Sequence, residues 1–188
     1  MPWHVLMSAH AFAADIPMTG ASRPPKSRRS AAAAPSPDGL TLDLERYVPA
    51  FITFIANKLS NSATAFYQGN FGVNVTEWRI MSLLAIEPGI SAARICQVIG
   101  FNKGPVSRTL SDMQSRGLIT IRVDPNDART HSISLTGKGR ATHDKVIVAA
   151  LERERKLMSC LSADEQEVLI DLLRRLHNNL GAVTGETT

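Results

Sequence analysis

The chain has 188 residues, of which 44% are hydrophobic and 20% charged, and its formal net charge at pH 7 is +4. This length suffices for one domain with a hydrophobic core, and no stretch approaches the roughly 18 consecutive apolar residues that a membrane-spanning helix needs. The only cysteines, Cys96 and Cys160, have no neighbours at metal-ligand spacing, which argues against a disulfide framework and a cysteine-based metal site. We therefore expect a reduced, cytoplasmic protein without a membrane partner.

The positive charge is concentrated in residues 91–140, which carry eight basic and three acidic side chains. Such a concentration is typical of a surface that binds phosphate groups. Basic surfaces are also frequently only solvated. The charge distribution therefore favours a nucleic-acid partner without establishing one.

Residues 1–39 are rich in proline, serine, alanine and arginine and contain few large apolar side chains after residue 18. A segment of this composition cannot bury a core, and it is predicted to be a disordered basic tail. From residue 40 to residue 70, apolar side chains recur at helical spacing and predict a long helix, which Pro49 kinks or restarts. These side chains are Leu44, Val48, Phe51, Ile52, Ile55 and Leu59.

Residues 75–136 contain three short helical patterns followed by two strand-like runs. The three predicted N-caps are Thr76, Ser91 and Asn102, and the predicted helix ends are Pro88-Gly89, Gly100 and Gly117. This order of elements is the order of a winged helix-turn-helix, a module that places one helix in the DNA major groove. The predicted fold is mainly α with a small β-hairpin wing, flanked by further helices.

The third of these helices has the composition of a recognition helix. Its apolar residues, Val106, Leu110 and Met113, recur at helical spacing and are predicted to face the core. The other faces carry small and basic side chains that suit a major groove, where arginine reads guanine edges and serine donates to bases or phosphates. We predict DNA contacts from Lys103, Pro105, Ser107, Arg108 and Ser111. An ordinary solvent-exposed helix is the alternative.

Residues 118–123 and 132–135 are predicted to form a two-stranded hairpin whose tip is the turn between them. Within that turn, Asp127 is expected to hold Arg129 by a charge-assisted hydrogen bond. An arginine held at a hairpin tip beside a recognition helix can enter the minor groove. Both residues belong to the predicted DNA-binding set, and a salt-bridged turn without DNA contact is the alternative.

The C-terminal third is predicted to consist of helices. Thr136 precedes a helix over 138–158, and Ser162 with Glu165 forms a capping box before another helix. Five leucines follow at helical spacing: Leu169, Leu172, Leu173, Leu176 and Leu180. A lone winged helix does not need these helices, so residues 40–70 and 138–181 are predicted to pair two chains in a homodimer. Intramolecular packing alone is the alternative.

Several motifs between residues 76 and 137 together resemble the pattern of the MarR (multiple antibiotic resistance regulator) family. They are Thr76-Glu77-Trp78-Arg79, Ile99-Gly100, Asn102-Lys103-Gly104-Pro105-Val106-Ser107-Arg108, Arg116-Gly117-Leu118-Ile119, Asp124-Pro125-Asn126-Asp127-Ala128-Arg129 and Leu135-Thr136-Gly137. The resemblance extends over about residues 40–180, with the MarR-like domain predicted to end near residue 182. Asn102 stands where the family usually has Asp, and Ala128 stands where it frequently has Arg.

The resemblance implies a dimeric transcriptional regulator that represses from a pseudo-palindromic operator in double-stranded DNA. It also implies a small-molecule effector, an aromatic or phenolic compound or its thioester, bound between the dimer helices and the DNA-binding lobe. The aromatic residues near the expected cleft are Tyr47, Phe51, Phe54 and Trp78, although each residue type is more often found in a core. Two alternatives stay open: a redox-sensing regulator that uses Cys96 or Cys160, and a winged-helix interaction module without DNA binding.

Catalytic motifs are absent from the sequence. His131, His143 and His177 are scattered, and no metalloprotease, nucleophile-elbow or glycine-rich phosphate-loop motif accompanies them. We therefore expect neither enzyme activity nor a cofactor or metal.

Overall fold

The computed structural model describes residues 33–36, 39–123 and 131–185. The fold is mainly helical with a small antiparallel wing, as the sequence predicts. The elements in chain order are β1 (Ala33–Ser36), β2 (Gly39–Leu42), α1 (Val48–Phe71), α2 (Val75–Ile86), α3 (Ala92–Ile99), α4 (Lys103–Ser115), β3 (Ile119–Val123), β4 (His131–Leu135), α5 (Gly137–Met158), α6 (Ala163–Asn178) and α7 (Gly181–Thr184). None of the helices within the described ranges has the length and apolar character needed to cross a membrane.

The chain has regular structure earlier than the sequence suggests. Strand β1 pairs with β2 in antiparallel register, with Ser36 opposite Gly39. Residues 33–36 lie in the segment predicted to be a disordered tail, but their backbone pairs with β2. Leu40 and Leu42 on β2 are exposed. Residues 1–32 and 37–38 of that predicted tail lie outside the described residues.

Helix α1 begins at Val48, later than the predicted start near residue 40. Pro49 stands in its first turn, where the missing N–H of proline costs no helical hydrogen bond. The helix continues to Phe71, one residue past the predicted end at residue 70. It ends at Gly72, which has a left-handed backbone (φ 68°) and donates its N–H to the Gln68 carbonyl.

The predicted N-cap of α2, Thr76, is wrong, because Asn74 caps this helix. The Asn74 side chain accepts hydrogen bonds from the backbone N–H groups of Thr76 (2.9 Å) and Glu77 (3.0 Å). The Glu77 carboxylate in turn accepts the Asn74 N–H at 2.8 Å. This reciprocal capping box needs the cap three residues before the glutamate, a spacing that Asn74 has and Thr76 lacks.

The other caps are closer to prediction. Ser91 caps α3 by accepting the Arg94 N–H, and Ser162 forms the predicted capping box with Glu165. Thr136 caps α5, the helix whose start it was expected to mark. Asn102 stands at the N-cap of α4 with an extended backbone, but its side chain makes no capping hydrogen bond.

The hydrophobic core lies between α2, α3, α4, the wing strands and the first half of α5. Its fully buried side chains are Val73, Ile80, Met81, Leu84, Ile95, Val106, Met113, Ile119, Ile133 and Val146. The turn after α2 joins the wing through two backbone hydrogen bonds: the Ile133 N–H donates to the Ile90 carbonyl at 3.0 Å, and the Gly89 N–H donates to the Ile133 carbonyl at 2.9 Å. At the start of α5, a Cβ on Gly139 would lie 1.9 Å from the Leu118 carbonyl oxygen, so only glycine permits this close approach.

Candidate nucleic-acid interface

Helix α4 has one buried and one exposed face. Val106, Leu110 and Met113 are buried, as the sequence predicts. The five predicted DNA-contacting residues on the same helix are all exposed: Lys103, Pro105, Ser107, Arg108 and Ser111. The side chains of Lys103 and Arg108 form no hydrogen bond or ion pair with any described residue, so their cationic groups remain available to an external anion.

The turn between α2 and α3 is held by an ion pair. The Arg94 guanidinium donates to both carboxylate oxygens of Glu87, at 3.1 Å and 3.0 Å. These hydrogen bonds hold the pKa of the Glu87 carboxyl below its ordinary value. Because Glu87 ends α2 and Arg94 lies in α3, the pair fixes the first two helices of the helix-turn-helix relative to each other.

The wing is an antiparallel pair of strands in which Ile119 lies opposite Leu135 and Val123 opposite His131. The predicted hairpin is therefore confirmed. Its turn, residues 124–130, lies outside the described residues, and it contains both Asp127 and Arg129. The ion pair between these two residues and the contact of Arg129 with DNA stay predictions.

Arg116, directly after α4, has a position that sequence reasoning missed. Its guanidinium donates to the Gly72 carbonyl at 2.8 Å and to the Glu77 carboxylate, and its Nε lies 2.9 Å from an Asp112 carboxylate oxygen. Its own carbonyl accepts a hydrogen bond from Lys138 Nζ at 2.8 Å. In the sequence Arg116 stands out only as part of a motif, because Glu77 lies 39 residues away and no local pattern connects the two residues.

The four candidate effector-binding aromatics do not come together within one chain. Tyr47, Phe51 and Phe54 are exposed around the first half of α1. Trp78 stacks on His143, with 5.3 Å between ring centroids, and contacts Tyr67 edge-on. Tyr67 follows Phe51 by 16 residues, or about 24 Å along a helix, so Trp78 belongs to a different region from the other three.

A cavity of about 430 Å³ lies between α1 and α5, and the sequence did not predict it. It is lined by Leu59, Ala63, Tyr67, Arg153, Glu154, Lys156 and Leu157. The Arg153 guanidinium lies over the rings of Phe66 and Tyr67 and donates to the Ser62 hydroxyl at 2.9 Å. Burial raises the pKa of the Tyr67 phenol above its ordinary value, although the charge of Arg153 opposes this change.

The two cysteines have different environments. Cys96 is half-buried and packs against the core, whereas Cys160 is exposed just after α5. Lys156, which the sequence places near Cys160, forms an ion pair with Glu152 at 3.3 Å. Of the two thiols, only Cys160 is freely accessible from solvent.

Comparisons with known proteins agree with this architecture. The model of the MarR family matches residues 71–130, which begin at the end of α1 and include the helix-turn-helix and the first strand of the wing, β3. A MarR/EmrR family transcriptional regulator from Acinetobacter sp. ADP1 is 31% identical in sequence to this chain, and its crystal structure superimposes with a TM-score of 0.71. The alignment covers 75% of this chain and 99% of that one. The chain belongs to the MarR family. It is accordingly a DNA-binding transcriptional regulator and not an enzyme, and its resemblance to the family, read from the motifs, is confirmed.

Two more distant structures share the MarR fold. One is the PcaV transcriptional regulator from Streptomyces coelicolor in complex with its natural ligand, at 23% identity, with a TM-score of 0.61 and coverage of 73% of this chain and 96% of that chain. The other is the S. aureus MepR–DNA complex, at 21% identity, with a TM-score of 0.64 and coverage of 72% and 98%. At these identities the similarity shows the fold alone.

Proposed function

We propose that this MarR-family regulator is a homodimeric repressor that binds a pseudo-palindromic operator through α4 and the wing. The observation that carries the proposal is the exposed face of α4, where Lys103 and Arg108 have no partner among the described residues while the opposite face is buried. A buried face holds the helix rigidly, and unpaired cations on the other face suit phosphates and guanine edges. The S. aureus MepR–DNA complex has the same fold.

The homodimer is supported by apolar side chains that one chain leaves exposed. Helix α6 has no buried residue, and Leu172, Leu173 and Leu176 are each 46–47% exposed. On α1, Phe51 and Ile55 are similarly exposed. Contiguous exposed apolar faces on two helices are typical of a subunit interface. Two-fold symmetry would also present two copies of α4 to two half-sites, about 10 base pairs apart.

The test of DNA binding is a titration of operator fragments, selected by the protein from genomic DNA, at several salt concentrations. Affinity is expected to fall steeply as salt rises, because phosphate contacts release counterions. Arg108→Ala should weaken binding by about 1–3 kcal/mol and relax base preference at one position of each half-site. Arg155→Ala is the matched control, since Arg155 is an exposed arginine near the far end of α5. A salt-independent affinity, or an Arg108→Ala variant with unchanged affinity and preference, contradicts this assignment.

The wing is tested separately with Arg129→Ala and Asp127→Ala. Arg129→Ala should weaken DNA binding with little change in stability, and Asp127→Ala should have a milder effect by releasing Arg129. A lowered melting temperature with intact DNA affinity in Arg129→Ala would instead assign the pair a structural role.

We further propose that a small aromatic or phenolic compound, or its thioester, binds the regulator and releases the operator. A ligand changes DNA affinity only to the extent that it binds two conformations of the protein with different affinities. Because the two recognition helices must match the spacing of the half-sites, a small movement between them is enough to weaken DNA binding. The proposed contacts are the exposed rings of Tyr47, Phe51 and Phe54 around the first half of α1, together with Trp78 at the contact of α2 with α5. Because Trp78 lies apart from the other three rings in one chain, one small compound would contact both groups only where they belong to different subunits. The ligand-bound PcaV structure has the same fold.

The exposed Cys160 favours one alternative, release by oxidation. Peroxide and a panel of aromatic acids, each titrated against the protein–DNA complex, separate the two models. The effector model expects release by at least one acid and none by peroxide. Release by peroxide that Cys160→Ser abolishes and Cys96→Ser preserves would overturn it.

A further inference from the structure

Arg116, at the C-terminal end of the recognition helix, connects this helix to its neighbours. Arg116 uses one guanidinium nitrogen for the Gly72 carbonyl and another for the Glu77 carboxylate, and its third nitrogen lies beside Asp112. Gly72 ends α1 and Glu77 lies in the first turn of α2. The backbone carbonyl of the same arginine is held by Lys138 in the first turn of α5. Four helices therefore meet at one residue.

The acidic partner of this arginine is buried. Glu77 is 3% exposed, and its second carboxylate oxygen accepts the Asn74 N–H in the capping box. Burial raises the pKa of the Glu77 carboxyl above its ordinary value, while the Asn74 N–H and the charge of Arg116 oppose that rise. A buried carboxylate is costly without a cation beside it. The buried Glu77 carboxylate therefore favours this position of the Arg116 guanidinium.

The guanidinium faces the protein and not the solvent-exposed surface of α4. The Arg116 side chain is 33% exposed. Its hydrogen-bond acceptors are the Gly72 carbonyl at the end of α1 and the Glu77 carboxylate on α2, and the Asp112 carboxylate of α4 lies beside its Nε without a hydrogen bond. Lysine could not replace it, because an ammonium lacks the planar fork that reaches a carboxylate and a carbonyl together. The geometry is that of a support for the recognition helix, whereas Lys103 and Arg108 point away from the core.

We propose that Arg116 is a positioning residue for operator recognition, which sets the orientation of α4 relative to α1 and α5 and thereby the spacing between the two recognition helices. This inference rests on the proposed homodimer, in which α1 carries part of the interface and α5 leads into the other interface helix, α6. Arg94 offers a contrast on the same domain. Its pair with Glu87 connects only the neighbouring helices α2 and α3, and it has no hydrogen bond to α1 or α5 among the described residues.

The experiment measures binding to three sets of duplexes derived from an operator that the wild-type protein selects from random DNA. The sets are the full operator, operators with one or two base pairs inserted or removed between half-sites, and a single half-site. Arg116→Gln and Arg116→Lys should lose about fivefold or more in affinity for the full operator, which is the lower end of usual coupling between sites. Both should bind the half-site like wild type and should tolerate altered spacing that wild type rejects. Arg94→Gln should keep the wild-type spacing preference.

The double variant Glu77→Gln/Arg116→Gln keeps the test decisive if the single variants fold poorly, because it leaves no buried charge unpaired. It should show the same broadened spacing preference. Equal losses on the full operator and the half-site, or an unchanged spacing preference, overturn the inference while leaving the proposed function intact. A wild-type protein that is monomeric or indifferent to spacing overturns the inference and the proposed dimeric binding mode together.

Discussion

The winged-helix core and the flanking helices differ in how far their apolar side chains are buried. In the core, Ile80, Met81 and Leu84 of α2 are almost completely buried by elements of the same chain. On α6, every residue is at least partly exposed, including the leucines that recur at helical spacing. In both regions apolar side chains recur at helical spacing. One chain buries the apolar side chains of the first region, and in the proposed homodimer a second chain would cover those of the second region.

This contrast separates two sources of stability. The core should depend on packing within the chain, so its loss should appear in the free energy of unfolding. The exposed leucines should depend on a second chain, so their loss should appear in the association constant. Four predictions follow this division, from the largest expected effect to the smallest.

Leu172→Asp should abolish the homodimer at micromolar concentration. An unpaired carboxylate in an apolar interface costs roughly 4 kcal/mol or more, and two-fold symmetry places one in each subunit. Sedimentation equilibrium should show a folded monomer with helical circular dichroism. Glu167→Gln, a polar change on the same helix, is the control and should leave the dimer unchanged. A dimeric Leu172→Asp variant, or a monomeric wild-type protein, would assign the exposed face of α6 another role.

Leu84→Ala should lower the free energy of unfolding by about 2–5 kcal/mol, because the buried side chain leaves a cavity among fixed neighbours. Ile86→Ala, at the end of the same helix where the side chain is 51% exposed, should cost less than about 1 kcal/mol. Urea denaturation of both variants measures the comparison. Similar losses in the two variants would mean that Ile86 is buried in the assembled protein.

The two capping boxes test the same division with a smaller change. Asn74→Ala removes the cap of α2 and Ser162→Ala that of α6, each at about 0.5–2 kcal/mol. Asn74→Ala should lower the midpoint of unfolding without changing dimer affinity, because α2 lies in the core. Ser162→Ala should weaken the dimer more than it destabilises the core. The reverse ranking, found by urea denaturation and sedimentation, would contradict the assignment of the two regions.

The pH dependence should have opposite signs in the two regions. Hydrogen bonds from Arg155 and Lys156 lower the pKa of the exposed Glu152 carboxyl from 4.5 to about 2. The stability it contributes is therefore present above pH 4.5 and is lost as pH falls towards 2. The raised pKa of buried Glu77 acts the other way: its contribution is present at low pH and is lost as pH rises through that pKa.

Glu152→Gln tests the acid-side contribution in urea denaturation between pH 3 and pH 6. The variant should lose slightly less stability than wild type over this range, by a small amount since the group is exposed and screened by solvent. Arg155→Ala, which removes the main cause of the lowered pKa, should behave similarly. Equal pH profiles for wild type and both variants would mean that these surface ion pairs contribute nothing to stability.

The sequence determined the order of the elements and most of their ends. Hydrophobic spacing identified the buried face of α4, and single capping residues such as Ser91 and Ser162 marked helix starts, because these signals act within one turn of chain. The N-cap of α2, which is Asn74 and not the predicted Thr76, could also have been found from local sequence, because Asn74 and Glu77 have the Asn-x-x-Glu spacing of a capping box. The strand at 33–36 escaped prediction because its pairing depends on backbone groups in a stretch of small residues and proline.

Only the tertiary structure decided which distant groups meet. The pairing of Arg116 with Glu77 across 39 residues and the contact of Arg153 with Ser62 across 91 residues leave no periodic trace in the sequence. The separation of Trp78 from Phe51 and Phe54 likewise follows from the length and direction of α1. Each of these arrangements depends on how complete helices pack against one another. A single pair of side chains changes the hydrophobic periodicity too little for the sequence to predict the contact.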